Sequence, residues 1–287
     1  MTTESKFIIK FWGVRGSRPV PGKETLIFGG NTSCVSIEID DKLIILDAGT
    51  GICNLAAELT KRHEKIKAHI FITHTHWDHI QGFPFFTPAF TKGNEFVLCG
   101  QNKMNHTFLN LIKGQMIYEH FPVQLDEMGA KISFLEVDYN DQIVIDENII
   151  VYTEKNNHPG GSISYKIEYK GKLSCCYITD TEHGQYVDEH LKKFIKGADV
   201  VIYDANYTDD EYNGNNGFEP KKGWGHSTWQ EGIKLVEAAG AKDLILFHHA
   251  THRTDDEIFS IEKEARKRYK RCFAAAEGMV IELKEAW

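Results

Sequence analysis

At 287 residues, with 41% hydrophobic and 11% aromatic side chains, the chain is long enough to fill a substantial core and shows no tract of disordered composition. Its 41 acidic against 33 basic side chains give a formal charge of −8, which argues against wrapping long nucleic acid, because lysine and arginine at the phosphates carry that binding. No apolar stretch reaches the ~20 residues of a membrane helix, Met1-Thr2-Thr3-Glu4-Ser5-Lys6 lacks the apolar run of a signal peptide, and six cysteines without a CxxC pair read as reduced thiols of a cytoplasmic protein.

Phe7–Trp12, Cys34–Ile39 and Leu43–Leu46 are predicted strands, rich in β-branched residues and separated by turn-forming Gly, Asn and Asp. A helix is predicted over Gly51–His63, with Leu55, Ala56 and Leu59 at helical spacing. The apolar run His69–Thr73 is a strand ending just before a cluster of histidines. The middle of the chain offers strands at Phe96–Leu98, Ile132–Leu135, Ile143–Ile145 and Ile149–Tyr152, and a helix around Met104–Lys113. Ile163–Tyr169 and Leu173–Thr179 flank Lys170-Gly171-Lys172, a hairpin signal. A β/α alternation closes the chain, with strands at Val200–Tyr203, Leu244–Phe247 and Met279–Leu283 and helices near Tyr186–Lys196, Thr228–Ala239 and Asp255–Tyr269. Strand runs followed by helices in both halves predict an α/β protein of two sheets packed face to face with helices outside. No linker composition separates the halves, and one domain over 1–287 is expected.

The strongest chemical signal is Thr73-His74-Thr75-His76-Trp77-Asp78-His79. Three imidazoles and a carboxylate crowded into one turn suit a borderline transition metal such as Zn²⁺, which favours mixed N and O ligands. A strand end is a good place for them, since a rigid sheet fixes the ligands while the following loop stays open. A solvated histidine-rich turn is the alternative, disfavoured by the apolar strand that leads into the cluster.

The segment resembles the HxHxDH motif of the metallo-β-lactamase superfamily. Further motifs follow in the same order as in that superfamily. Asn157-His158-Pro159-Gly160-Gly161 resembles the loop supplying a third histidine, and Tyr177-Ile178-Thr179-Asp180-Thr181 the strand end bearing a bridging carboxylate. Leu244-Ile245-Leu246-Phe247-His248 resembles the last strand and its histidine, and Asp47-Ala48-Gly49-Thr50-Gly51 an early Asp-x-Gly turn. The resemblance runs from about Phe7 to Leu283 and implies an αββα four-layer sandwich with two divalent metal ions per chain, Zn²⁺ as the expected ion and Mn²⁺ as the alternative. It assigns His74, His76 and His158 to the first metal and Asp78, His79 and His248 to the second, with Asp180 bridging. His249 is the alternative to His248, which is preferred because it directly follows the strand. Each imidazole needs a carboxylate or carbonyl to orient it, which the sequence alone does not identify.

Fold alone does not choose the chemistry. β-Lactamases of the superfamily carry Cys where Asp180 stands, and its diiron oxygen reductases usually place Glu at the position of His76. Gly223-Trp224-Gly225-His226-Ser227-Thr228-Trp229 resembles the Gly-His-Ser-Thr stretch of tRNase Z-like phosphodiesterases, and Val200-Val201-Ile202-Tyr203-Asp204-Ala205 their strand ending in an acidic residue before Ala. By this likeness His226, steadied by Asp204, faces the leaving group as general acid, while Asp78 ligates a metal and helps orient the attacking, metal-bridging hydroxide. The other reading of His226 is a neighbour of the Ser227 or Thr228 helix cap. Phe11-Trp12-Gly13-Val14-Arg15-Gly16-Ser17-Arg18-Pro19 and Gly29-Gly30-Asn31-Thr32-Ser33 resemble the opening strand and Asn-x-Ser turn of the same enzymes. Arg15 and Arg18 are candidates there to meet substrate phosphate or to serve the turn.

Long bacterial tRNase Z proteins insert a tRNA-gripping arm between the third histidine and the bridging aspartate. Here the predicted hairpin fills the space between His158 and Asp180. A small phosphodiester is therefore the expected substrate, with cyclic nucleotides first, since arm-less relatives act on them. The polar stretch between Asn206 and Gly223 carries Tyr207 and Tyr212 and precedes Trp224. It reads either as a lid whose aromatics, Tyr207 and Trp224 among them, stack on a base, or as a solvated surface loop. The expected partners are thus a small phosphodiester, no membrane and no long nucleic acid, with a homodimer as the alternative to a monomer. The rival functions are hydrolysis of another ester (phosphorylcholine, a cyclic sugar phosphate, an RNA 3′ end or a thioester) and a metal-binding sensor that turns nothing over.

Overall fold

In the computed structural model, which describes residues 7–62 and 64–285, the strands assemble into two seven-stranded sheets. The chain divides into two compact units: residues up to 19 with 31–138 and 277–284, and residues 20–30 with 139–276 and 285.

In the first unit β1 (Phe7–Gly13), β2 (Cys34–Ile39) and β3 (Lys42–Leu46) form an antiparallel run. β4 (Lys67–Phe71), β5 (Glu95–Gly100) and β6 (Lys131–Glu136) then continue it in parallel. The parallel strands are joined through α1 (Ile52–Thr60), through the one-turn α2 (Trp77–Ile80), and through α3 (Phe108–Gly114). A nine-residue helix such as α1 is marginal in isolation. It is held by its apolar stripe: Ile52, Leu55, Ala56 and Leu59 bury against Leu43, Ile45, Ala68 and Ile70, alternate residues from one face of β3 and β4. Burying one such aliphatic side chain stabilises the fold by roughly 1.5–3 kcal/mol. The expected end of α1 at His63 lies outside the described residues, as does the opening Met1–Lys6 stretch.

The second unit begins with the antiparallel strands β7 (Gln142–Val144), β8 (Ile149–Asn156) and β9 (Ser162–Tyr169). β10 (Leu173–Ile178) pairs antiparallel with β9, as the Lys170-Gly171-Lys172 turn predicts. β11 (Val200–Asp204), β12 (Asp243–Phe247) and β13 (Cys272–Ala274) follow in parallel. The helices of this unit are α4 (Glu189–Phe194), α5 (Asp209–Asn213), α6 (Trp229–Ala239) and α7 (Asp255–Arg268). α6 lays Trp229, Ile233 and Val236 on Val201, Tyr203, Leu244 and Leu246 of the sheet, and Thr228 caps its first turn by accepting from the Glu231 N–H.

Two expectations need correction. The last strand, β14 (Val280–Leu283), does not extend the closing β/α alternation; it pairs antiparallel with β1 in the first sheet, Phe7 opposite Leu283. The third parallel strand of the closing alternation is the short β13, which the sequence reading passed over. All six cysteines are free thiols, as expected. No helix among the described residues is long and apolar enough to cross a membrane.

Candidate functional site

In each unit the candidate residues sit where strands end. In the first, Asp47 follows β3 directly and His74 lies three residues past β4; these strands are parallel neighbours, so both sit at the same edge of the sheet. The strand expected at His69–Thr73 runs from Lys67 to Phe71, which frees 72–76 as loop. His76 is the N-cap of α2, and Asp78 and His79 occupy its first turn. In the second unit His158 follows β8, Asp180 follows β10, Asp204 ends β11 and His248 follows β12. Carboxyl ends of strands are where open α/β sheets place their ligands.

The orienting groups that the sequence left unnamed are visible. Asp47 is fully buried; its Oδ2 accepts from His79 Nδ1 at 2.7 Å, and its Oδ1 accepts the Thr73 N–H at 2.8 Å. The Thr73 hydroxyl donates to the same carboxylate and accepts from His74 Nδ1 at 3.1 Å. One buried carboxylate thus fixes the Nδ1–H tautomer of two histidines and presents Nε2 of each as an atom that could ligate a metal. His79 Nε2 lies 3.3 Å from Asp78 Oδ2, and Asp78 is itself held by the Ser17 N–H at 2.7 Å. The His74 ring is 4.3 Å, centre to centre, from both His76 and His79. Glycine is obligatory beneath this loop: a Cβ at Gly49 would stand 2.2 Å from the Asp78 carbonyl oxygen.

The second unit gathers its part of the set around Asp180. Asp180 Oδ1 faces His248 Nε2 at 3.2 Å and Oδ2 faces His158 Nε2 at 3.6 Å. One carboxylate thus offers each oxygen to a different imidazole. His158 Nδ1 donates to the Gly225 carbonyl at 2.8 Å. Burial pushes this imidazole below the ordinary histidine range, against the opposing pull of Asp180, and so favours the neutral form that binds metal. One carboxylate oxygen each of Asp180 and Asp204 and one ring nitrogen each of His226 and His248 lie within 4.8 Å of one another. His226 Nδ1 donates to Asp204 Oδ2 at 2.8 Å, and the fully buried Asp204 also accepts the Thr181 and Asn206 N–H groups. His249 is turned away, its Nε2 donating to the Ala275 carbonyl at 2.9 Å.

Within each unit, then, the donors suit a borderline divalent cation: Nε2 of His74 and His79 in the first and of His158 in the second, each ring held through Nδ1, beside carboxylate oxygens.

Residues 42–249 match the beta-lactamase superfamily domain, more than half of the chain. The chain belongs to this superfamily. The ribonuclease Z of Ligilactobacillus salivarius is 23% identical over 83% of this chain and 86% of its own length. The metallo-β-lactamase fold protein YhfI of Bacillus subtilis superposes with a TM-score of 0.70 at 16% identity, covering 97% of this chain and 100% of that one. Yeast PDE1 superposes with a TM-score of 0.68 at 16% identity, over 97% and 100%. The chain has the metallo-β-lactamase fold, an α/β architecture.

The remaining candidates divide by exposure. Arg15 is fully buried and its backbone N–H donates to the Asn31 carbonyl, whereas Arg18 is exposed. Tyr207 is buried with its ring edge toward His226 at 6.0 Å, so it is not the exposed stacking surface expected of it; Trp224 is 59% exposed, with Lys221 Nζ 4.5 Å above its ring. The 206–223 segment is not a plain loop. It contains α5, capped by a reciprocal Thr208/Glu211 box and closed by Gly214 in the left-handed region, and Asp209 accepts from Thr228. The sequence carried this signal in Thr208-Asp209-Asp210-Glu211, which the reading of the segment as polar loop overlooked.

Proposed function

We propose that the protein is a dinuclear metal-dependent phosphodiesterase acting on a small phosphodiester, with a cyclic nucleotide first among the candidates. His74, His76 and His158 would hold one ion, Asp78, His79 and His248 the other, with Asp180 shared. Bound there, two divalent ions would neutralise nonbridging phosphate oxygens and would make hydroxide available near neutral pH. Zn²⁺ is the proposed ion and Mn²⁺ the alternative.

The observation that carries the reading is the His226–Asp204 pair. A phosphodiester with an alkoxide leaving group needs that oxygen protonated as it departs, whereas a thioester's thiolate leaves without a proton. With Nδ1–H committed to Asp204, His226 keeps Nε2 to hold and give up that proton. Asp204 also stabilises the protonated ring while the N–H groups of Thr181 and Asn206 fix its own orientation. Asp78, held by the Ser17 N–H, would ligate and orient the attacking oxygen. Arg18 is the exposed arginine available to phosphate, and Trp224 the exposed aromatic face available to a base.

Support for a small substrate comes from the compact path between His158 and Asp180: a tight turn, β9, the Lys170-Gly171 turn and β10, with no inserted arm. The names of the relatives favour a second reading, removal of an RNA 3′ end. Metal analysis tests the common core of both. Protein prepared without chelator should approach two ions per chain, and His76→Ala or Asp180→Ala should lower both metal content and hydrolysis of bis-p-nitrophenyl phosphate. Full occupancy in a His76→Ala/His158→Ala double variant would overturn the ligand assignment.

A further inference from the structure

We infer that Glu182, two residues past the bridging aspartate, is a positioning residue that sets the ligand nitrogen of His158 through the Gly225 peptide; the inference rests on the metal-centred reading above. All the contacts that fix it lie within the second unit. Glu182 Oε2 accepts the Gly225 N–H at 2.8 Å, and Oε1 accepts the Gly223 N–H and the Tyr212 hydroxyl, each at 2.7 Å. The carbonyl of that same Gly225 accepts His158 Nδ1 at 2.8 Å. The carboxylate therefore grips the N–H of the residue whose carbonyl grips the imidazole. Its main chain is tied to the same place, since the Glu182 N–H donates to the Asn157 carbonyl at 2.7 Å and Asn157 Nδ2 donates to the Glu182 carbonyl at 3.0 Å. Asn157 is the residue before His158.

Gly225 supplies an independent sign that this approach is built. Its φ of +84° is in the left-handed region, and a Cβ there would stand 2.3 Å from His158 Nδ1 and 2.4 Å from Pro159 Cδ. Glycine is the residue that lets the carbonyl reach the ring. A glycine-rich strand held only by its own backbone would leave this carbonyl free to swing. The charged acceptor makes the two peptide N–H bonds stronger than neutral ones and fixes the plane of the Gly225 peptide. Tyr212, at the end of α5, is held by the same carboxylate, so α5 and the Gly223–Gly225 turn share one anchor.

Groups that orient a ligating histidine typically alter metal affinity by 10- to 100-fold. Glu182→Gln keeps the shape but turns an amide N–H₂ toward at least one of the three donors. Chelator competition on the zinc-loaded protein should show one of the two ions weakened by about tenfold or more and the other retained. Tyr212→Phe, which removes a donor without touching Gly225, should leave both affinities near wild type. A spectroscopic signature separates positioning from general loosening. The slowly exchanging His158 Nδ1–H resonance should be lost in Glu182→Gln, while that of His226, held by Asp204, persists. If Glu182→Gln fails to fold, Glu182→Asp, which keeps the charge but is one methylene short, should give the same selective loss. Wild-type affinity for both ions in a folded Glu182 variant would overturn the inference. A wild-type protein that binds no divalent ion would instead overturn the metal reading, and this inference with it.

Discussion

Three residues of the candidate set lie in a backbone region that side-chain-bearing residues rarely enter: Asp47 at φ 59°, Asp180 at φ 53° and His248 at φ 61°. Each sits one or two positions past the end of a strand, where the chain must leave the sheet at once. Asp, Asn and His tolerate this region better than most residues, yet each instance costs on the order of 1–3 kcal/mol. Strain held at three carboxylate and imidazole positions is what a site selected for function rather than stability looks like. The ligand candidates themselves were legible as His74-Thr75-His76-Trp77-Asp78-His79 and as single residues after apolar strands. Their orienting partners were not, because Asp47 and Gly225 are far from His79 and His158 in sequence and meet them only through the fold. His226 is the residue whose role most directly decides the proton-transfer chemistry. If it protonates the leaving oxygen, His226→Ala should keep its metals yet lose roughly 10²–10⁴-fold in rate on a cyclic nucleotide. A nitrophenyl ester, whose leaving group departs without a proton, should lose much less. Asp204→Asn should show the same selectivity more weakly. Equal losses on both substrates would reassign His226 to phosphate binding or to the fold.

At the scale of elements, periodicity located nearly every strand, and the hairpin turn at Lys170-Gly171-Lys172 gave the β9–β10 pairing. Apolar alternation marks that a strand exists but not which sheet receives it, which is why β14 was assigned to the closing alternation although it pairs with β1. The one-turn helices α2 and α5 are too short for periodicity to register. α5 is specified by its Thr208/Glu211 capping box and by long-range partners. For α5 that partner set centres on Glu211, which accepts from the Thr208 N–H and hydroxyl, from His252 and from the Arg253 guanidinium. Burial pushes its carboxyl up, but the bond to His252, the Thr208 groups and the Arg253 charge outweigh that and hold it at about 2. An unfolded glutamate titrates near ~4.3. The folded value is the lower one, so this contribution to stability is complete above the unfolded value and is lost as pH falls from there toward 2. Glu211→Gln should therefore lower the melting temperature at neutral pH, by about 1–3 kcal/mol of stability. The gap to wild type should close as pH falls through that window. A gap that stays constant from pH 7 to pH 3 would show that Glu211 matters through packing, not through its charge.

For the molecule as a whole, membership of the beta-lactamase superfamily fixes the architecture and the expectation of two metals, while the choice of substrate depends on features outside the shared motifs. A formal charge of −8 and the short path from His158 to Asp180 weigh against gripping a long RNA. Substrate choice was the least legible property in the sequence. Exposed positions such as Arg18 and Trp224 are ones where many residue types satisfy the fold equally well. The direct test is a paired initial-rate assay with one zinc-loaded preparation, on a cyclic nucleotide and on a pre-tRNA bearing a 3′ trailer, before and after metal removal. The account predicts turnover of the cyclic nucleotide with the higher kcat/KM, abolished by chelation and restored by zinc. Efficient trailer removal without turnover of the cyclic nucleotide, or hydrolysis that survives metal removal, would contradict it.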